Sequence, residues 1–405
     1  MAVLLDTATI GFYKAGDSRD RGIACQRGKA DMMHKDRSHS NYSDQPRKPR
    51  LSLIACSRND QYMGNSLWRL QTALDDVAQS VHAVGREGDL EILVTDWGSK
   101  IPLHTVLQLS PAAARLISFI IVPPALAQEI QGDSPFSEVV ALNGAARRAN
   151  GQCVGRIDQD TLVGTRFLRT FLELYEGKQQ LDVPLESALM LSNRHQIPFR
   201  FASRCPSFWE ADRFIRWFGR FLGREMYHLP PRLFLRIIVG IWLVHRDVWY
   251  ECAGYDERMK CYYWMETDMI LRLMQREHTV VDLGKLVDYD LYHLEHYTPR
   301  IDWPEDASRK ANPAIDLNNP PEDLEFHPNS EDWGGIQYPL EVVAYSPDEG
   351  DVETVALDQS RSSWLGFTLL LLSSGVLMVW DKLLAVSWLA ARGFASRWKH
   401  RNAVA

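Results

Sequence analysis

The 405-residue sequence has only six cysteines, and they include no short Cys-x-x-Cys hook. That excludes a disulfide scaffold and argues against a structural zinc site, even though Cys252, Cys261, His293 and His296 are all of ligand type. Cys56 and Cys153 lie in apolar runs, where free thiols stay buried. There is no surplus of positive charge: the net charge of −7 argues against a general nucleic-acid binder. No internal repeat is present. Met1 to Phe12 has no basic flank and only a very short apolar run, which does not read as a signal peptide. Long apolar runs are missing until the C-terminal end. There the stretch SSWLGFTLLLLSSGVLMVW, residues 362–380, carries no charge over nineteen residues, with Trp364 and Trp380 near its ends. At 1.5 Å per residue it would reach roughly 28 Å, close to the hydrocarbon thickness of a bilayer. It reads as a transmembrane helix; a buried C-terminal helix of the globular domain is the other option.

What is present is an ordinary globular composition, 45% hydrophobic and 24% charged, in a chain long enough for one large core. Residues 1–50 are polar and without periodicity, and read as a flexible N-terminal arm. From Leu51 to about Arg300, apolar runs alternate with helical patterns. LSLIAC (Leu51 to Cys56), LEILVT (Leu90 to Thr95), LISFIIV (Leu116 to Val122) and Gln152 to Ile157 read as strands. Leu67, Leu70, Leu74, Val77 and Val81 form one face of a helix. Such alternation predicts a mostly parallel mixed sheet in a three-layer α/β/α domain.

The organising stretch is Asn143 to Gly164. Ser134 and Pro135 are placed to open a helix containing Phe136, Val139, Val140 and Ala146, and Gly151 suits a left-handed residue beyond its end. A short strand then stops at Asp158-Gln159-Asp160. At the C-terminal edge of an open α/β sheet, where ligands collect, one carboxylate can hold a metal while the other faces a sugar hydroxyl. An isolated Asp-Gln-Asp is also a common solvated turn. Later segments read as a helix over Phe167 to Tyr175, a mixed region over Leu189 to Phe201, and strands over Arg236 to Val244, Thr279 to Leu283 and Leu286 to Tyr292. Glu266 and Asp268 stand in the first turn of a helix, where capping alone also favours acids. Between Phe201 and Arg236 lies a helix rich in arginine and aromatics around Phe214, Trp217, Phe218 and Phe221, suited to core packing, a membrane surface or an acceptor groove. Residues 301–361 are acidic and Pro/Asn-rich, mostly loop that wraps the domain and links it to the span; residues 381–405 form a basic tail.

In this order, a strand ending CSRND, a second ending TDWGS, FSEVVALNGAARRANG running into RIDQD, GIWLVHRDVWYECAGYDE before WMETDMILRL, and a closing LYHLEH resemble the GT-A fold glycosyltransferases, most closely family 2-like enzymes. The resemblance covers about Leu51 to Arg300. It implies a sugar-nucleotide donor, with a UDP-sugar first in line, and a glycan or lipid acceptor. Ser57, Arg58, Asp60 and Asp96 would line the nucleotide pocket, with Asp96 accepting from the base. Arg148 would reach the diphosphate and Asp158 would sit near the ribose. Asp160, with Asp158 beside it, would hold a divalent ion, Mn2+ or Mg2+, helped by His293 or His296; two histidines simply packed at a sheet edge is the plainer alternative. The resemblance also implies inversion at the anomeric carbon. Where the family carries Glu-Asp, this chain has Met265-Glu266. Glu266 then takes the base position, Asp268 is the fallback, and Trp264 and Asp256 fall on the acceptor side. The competing expectation, prompted by Met265, is a non-catalytic glycan- or nucleotide-binding protein that keeps the fold.

For sidedness, Lys382, Arg392, Arg397, Lys399 and Arg401 follow the apolar span and Asp348, Glu349, Asp351, Glu353 and Asp358 precede it. The positive-inside rule would put the catalytic domain outside or in a lumen. Without a signal peptide, the expectation leans to a tail-anchored enzyme on the cytosolic face.

Overall fold

The computed structural model describes residues 48–204 (except 61, 63 and 193), 210, 213–214, 241–296 (except 262, 288 and 289), 312–316, 321–346, 368–369 and 371–372. The expected N-terminal arm lies outside these apart from residues 48–50. So do most of the arginine- and aromatic-rich helix, nearly all of the apolar span 362–380, and the basic tail. No described helix is long and apolar enough to cross a membrane.

Eight strands form one sheet in the order β11-β3-β2-β1-β4-β8-β6-β9. They are β1 (Leu51–Ser57), β2 (Leu90–Trp97), β3 (Ile117–Val122), β4 (Cys153–Ile157), β6 (Ala188–Ser192), β8 (Ile241–His245), β9 (Thr279–Asp282) and β11 (Glu341–Ala344). β1, β2, β3 and β4 run parallel, as do β6 and β9, while β8 and β11 pair antiparallel with their neighbours. This mixed, mostly parallel sheet fits the GT-A-like architecture. Three short strands, β5 (Thr161–Val163), β7 (His195–Ile197) and β10 (Leu291–Leu294), form a second sheet in the order β5-β10-β7.

Alternation along each strand sends side chains to two covered faces. On one, Leu53, Val94, Cys153 and Leu243 pack against α1 (Ser66–Val84), through Leu70, Leu74, Val77 and Val81, and against α3 (Thr165–Tyr175), through Phe167 and Phe171. On the other, Ile54, Val154, Trp242 and Val244 meet α2 (Glu138–Arg148), α4 (Arg246–Glu251) and α5 (Met265–Met274).

Several local expectations are corrected. α2 starts at Glu138, not at Pro135: the Ser134 hydroxyl donates to the Phe136 carbonyl and Arg58 takes the Pro135 carbonyl, which commits those residues to a turn. Gly151 is not left-handed. A Cβ there would lie 2.4 Å from Ser52 Oγ and 2.8 Å from the Leu51 carbonyl carbon, so close backbone approach is what requires glycine. Leu286 to Tyr292 does not finish the main sheet. Leu283–Leu286 is a helical turn, and the strand begins at Leu291 and joins the small sheet. Within the mostly loop acidic segment, Glu341–Ala344 is a strand that the sequence pattern did not mark, and it extends the main sheet beside β3.

Candidate active site

Parallel register brings the strand ends together. Ser57 lies opposite Asp96, and Ile54 opposite Arg156, so the residues following β1, β2 and β4 share one edge. Ser57 Oγ donates to Gln159 Oε1 at 2.6 Å, tying the first of the expected pocket residues to the centre of Asp158-Gln159-Asp160. Arg58 Nε donates to Asp60 at 2.7 Å and its guanidinium lies over the Phe136 ring. Asp60 also accepts from the Tyr62 amide. Asp96 is in place at the edge but only 1% exposed. One of its oxygens accepts from the Ser99 hydroxyl and the other from the Leu103 amide at 2.7 Å. It therefore staples its own loop at the edge where the nucleotide pocket was expected. Burial raises its pKa, against those hydrogen bonds.

The small sheet supplies the histidines. β10 pairs with β5 so that His293 stands opposite Thr161, and the Leu294 amide donates to the Asp160 carbonyl. His293 Nε2 is 3.4 Å from Asp160 Oδ1 and His296 Nε2 is 3.5 Å from Oδ2, the two rings meeting edge to face. Burial lowers both imidazoles, His296 to about 3, against the pull of Asp160, and imidazole ligates a metal in its neutral form. Burial alone would raise Asp160, but His293, Arg194 and His296 outweigh it and hold the carboxyl well below its usual range. Asp160 Oδ1 is buried without a conventional hydrogen bond. One carboxylate and two neutral imidazoles with their ligand atoms within 4.8 Å of one another are a donor set that fits a divalent ion.

Asp158 points elsewhere, and its neighbours are ones the sequence reading did not pick out. Arg194 Nη1 lies 2.6 Å from Asp158 Oδ2 and 3.6 Å from Asp160 Oδ1, and Arg69 Nη1 lies 3.2 Å from Asp160 Oδ2. Arg156, 3% exposed, directs Nη2 to Glu138 Oε1 (2.7 Å), Asp158 Oδ1 (2.7 Å) and Glu266 Oε1 (3.1 Å). The expected base and the expected ribose contact thus share one nitrogen. Burial pushes Glu138 up to about 7, Arg156 opposing while Glu266 and Asp158 add to the rise. Arg156 did carry a sequence signal: it interrupts the wholly buried run CVGRI two residues before Asp158. Arg69 carried none, because it sits among the apolar residues of α1.

Glu266 is 7% exposed at the first turn of α5. Asp268, the fallback, accepts from Arg272 Nε at 2.8 Å, and Arg272 also binds the Cys252, Gly254 and Phe326 carbonyls, so Asp268 serves to anchor the helix. Asp256 is held by Arg258. Tyr263 and Trp264 are both left-handed (φ 68° and 72°), uncommon outside glycine and a form of strain that clusters at functional sites. Asn312 holds this turn, accepting from the Cys261 amide and donating to the Cys261 and Tyr263 carbonyls.

Arg148 is a correction. α2 runs antiparallel to β4, from Glu138 beside Arg156 down to Gly151 beside Leu51, which puts Arg148 at the other end of the sheet. There it donates to the Gly144, Gly334 and Gly335 carbonyls and does not reach a diphosphate at the strand edge.

No protein-family model and no curated protein matches the chain. Among solved structures, S. aureus TarS 1–349 in complex with UDP overlaps 60% of this chain and 60% of its own, at 12% identity and a TM-score of 0.38. The same fragment with UDP-GlcNAc overlaps 60% and 58% (11%, 0.35). The catalytic domain of Drosophila beta1,4-galactosyltransferase 7 in complex with xylobiose overlaps 67% of this chain and 84% of its own (11%, 0.34). The chain spans 35% of the length of another S. aureus TarS structure. At these scores the overlaps assign no activity to this chain, and a functional reading has to rest on the side chains at the strand edge.

Proposed function

We propose that this chain is a metal-dependent, inverting glycosyltransferase that moves a sugar from a nucleotide sugar, a UDP-sugar first, to a hydroxyl of a glycan or lipid acceptor. The observation that carries it is the convergence of Asp160, His293 and His296 beside Asp158 at the strand edge, with Glu266 joined to the same cluster through Arg156. Asp160 and the two histidines would hold a divalent ion, and imidazole favours manganese over magnesium. Bound there, the ion would supply positive charge against the leaving diphosphate. Asp158 would orient the ribose, and Ser57, Arg58 and Asp60 would shape the nucleotide pocket. Glu266 would take the proton from the acceptor hydroxyl as that oxygen forms its bond to the anomeric carbon. The bond from that carbon to the diphosphate oxygen breaks on the opposite face, and its electron pair leaves with the diphosphate. Trp264, in its strained turn, would offer a ring to the acceptor sugar.

The test is a panel of UDP- and GDP-sugars with Mn2+, read first as thermal shift and then as turnover. At least one donor is expected to stabilise the protein and be turned over; a panel with no shift and no turnover sinks the reading. Met265 in place of the family's glutamate favours a second reading, a non-catalytic binder. Glu266→Gln separates them: donor binding kept with transfer lost marks the enzyme, whereas a wild-type protein that binds but never transfers marks the binder.

Residues 362–380 would tether the domain to a membrane, on its cytosolic face. Protection of the domain from added protease in sealed vesicles would place it on the other side.

A further inference from the structure

An arginine in the middle of a central strand is out of place on apolar grounds. On β4, Arg156 shares its face with Val154, in the layer that also holds Ile54, Trp242 and Val244. Taking a guanidinium out of water is costly unless it is answered by charge and hydrogen bonds. The answer here is lopsided. Three carboxylates, Glu138 from α2, Asp158 from the strand end and Glu266 from α5, crowd one nitrogen, Nη2. Nε and Nη1 are buried without a hydrogen-bond partner. A pair built for stability would use the two-pronged fork against one carboxylate and balance its charge. This one does neither.

We infer that Arg156 is a positioning residue, a buried hub whose Nη2, hydrogen-bonded to Glu138, holds Glu266 Oε1 by charge in register with Asp158 and so places the Glu266 carboxylate for the acceptor hydroxyl. The inference rests on the reading of Glu266 as base. The two carboxylates depend on the hub unequally. Asp158 has a second cation, Arg194 at 2.6 Å, whereas among the described residues Glu266 pairs with Arg156. Loss of the guanidinium should therefore leave the donor side largely held and release the base.

The experiment compares Arg156→Met and Arg156→Lys with the wild-type full-length chain, with thermal melts confirming that each variant is folded. Arg156→Met is expected to lower kcat by ~100-fold while the donor KM stays within about threefold, the pattern of an interaction lost in the transition state and not in donor binding. Arg156→Lys, which keeps the charge on a shorter stem, should recover ~10-fold of that loss. A folded Arg156→Met variant with wild-type kcat, or a loss that appears in donor KM instead, overturns the hub. Equal loss in the methionine and lysine variants also overturns it, because a packing defect alone gives no charge-dependent rescue. Glu266→Gln keeps the two failures apart. If it is inactive while Arg156→Met is fully active, the proposed reaction stands and the hub falls. If it transfers at the wild-type rate, the base reading fails and takes the hub with it.

Discussion

Arginines gather at both ends of the main sheet, and what answers them differs. At the C-terminal edge of the parallel strands, Arg69, Arg156 and Arg194 meet carboxylates: Asp160, Asp158, Glu138 and Glu266. At the other end, Arg147 lies over the rings of Trp333 and Tyr250, at 4.7 and 5.3 Å, and donates to the Glu331 carbonyl, while Arg148 donates to the Gly144, Gly334 and Gly335 carbonyls. Carbonyls and rings satisfy a guanidinium without adding charge, so that end is a clasp between α2 and the returning C-terminal segment. Carboxylates instead bring charge of the opposite sign, so this edge gathers ionisable groups around Asp160, where a cation and a leaving diphosphate would need to be balanced. The partner, more than the arginine, separates the working edge from the structural one.

The largest expected effect tests the working edge. Asp160→Ala should lower transfer by ~1000-fold or more, the scale of losing a metal-borne charge in the transition state. It should also abolish any Mn2+-dependent thermal shift measured without nucleotide. A variant that keeps the full Mn2+ shift removes Asp160 from the metal site and breaks the contrast between the two ends.

Next comes the clasp. Trp333 is 3% exposed, packed in the α2, α4 and α5 layer and beneath Arg147. Trp333→Ala should cost about 3 kcal/mol of stability in urea unfolding, as large-to-small core changes do. UDP affinity, measured while the variant is folded, should stay within about twofold. A tenfold loss of affinity would mean that the two ends are energetically joined.

How much of this was legible follows the same divide. The parallel core was readable because its strands are continuous apolar runs, and the edge residues after β1, β2 and β4 followed from strand order. Asp160 with His293 and His296 was within reach because the chain pattern placed all three at sheet edges. Arg148 misled because a basic residue near a ligand-like motif says nothing about helix direction: α2 runs away from the edge, and its C-terminal residues go with it. β11 was hidden in an acidic, proline-rich stretch whose Glu341–Ala344 lies largely exposed, so the apolar period that marks an inner strand is absent. Arg194 and Glu138 acquire their partners only when β6, α2 and β4 meet, which local pattern cannot show.

A buried carboxylate held by a backbone amide supplies the control. Asp75 on α1 is 1% exposed; Oδ1 accepts from the Ser110 amide at 2.8 Å and Oδ2 has no partner. Burial raises it to about 6, against the Ser110 hydrogen bonds, whereas Asp160 among its cations is held low. A carboxyl raised on folding adds stability below its unfolded value of about 3.9, and that contribution is lost as pH rises through 6. Asp75→Asn removes the dependence. Its stability relative to wild type should be about 2 kcal/mol more favourable at pH 8 than at pH 4.5, by urea unfolding at both. A difference independent of pH would show that the aspartate stays ionised, as the lowered Asp160 does.

The smallest effect is the most discriminating about the two ends. Arg148 was the residue expected at the diphosphate, and the fold instead spends its donors on the Gly144, Gly334 and Gly335 carbonyls. Arg148→Met keeps much of the stem, so the loss should be confined to those half-buried hydrogen bonds, about 1 kcal/mol in urea unfolding. UDP binding by calorimetry in Mn2+ should be unchanged, because α2 carries this side chain away from the edge where Asp158 and Asp160 lie. A diphosphate gains much of its affinity from charge, so a guanidinium in contact with it cannot be removed silently. Weakening of UDP by tenfold or more, with stability intact, would therefore return Arg148 to the nucleotide and require the clasp to open when the donor binds.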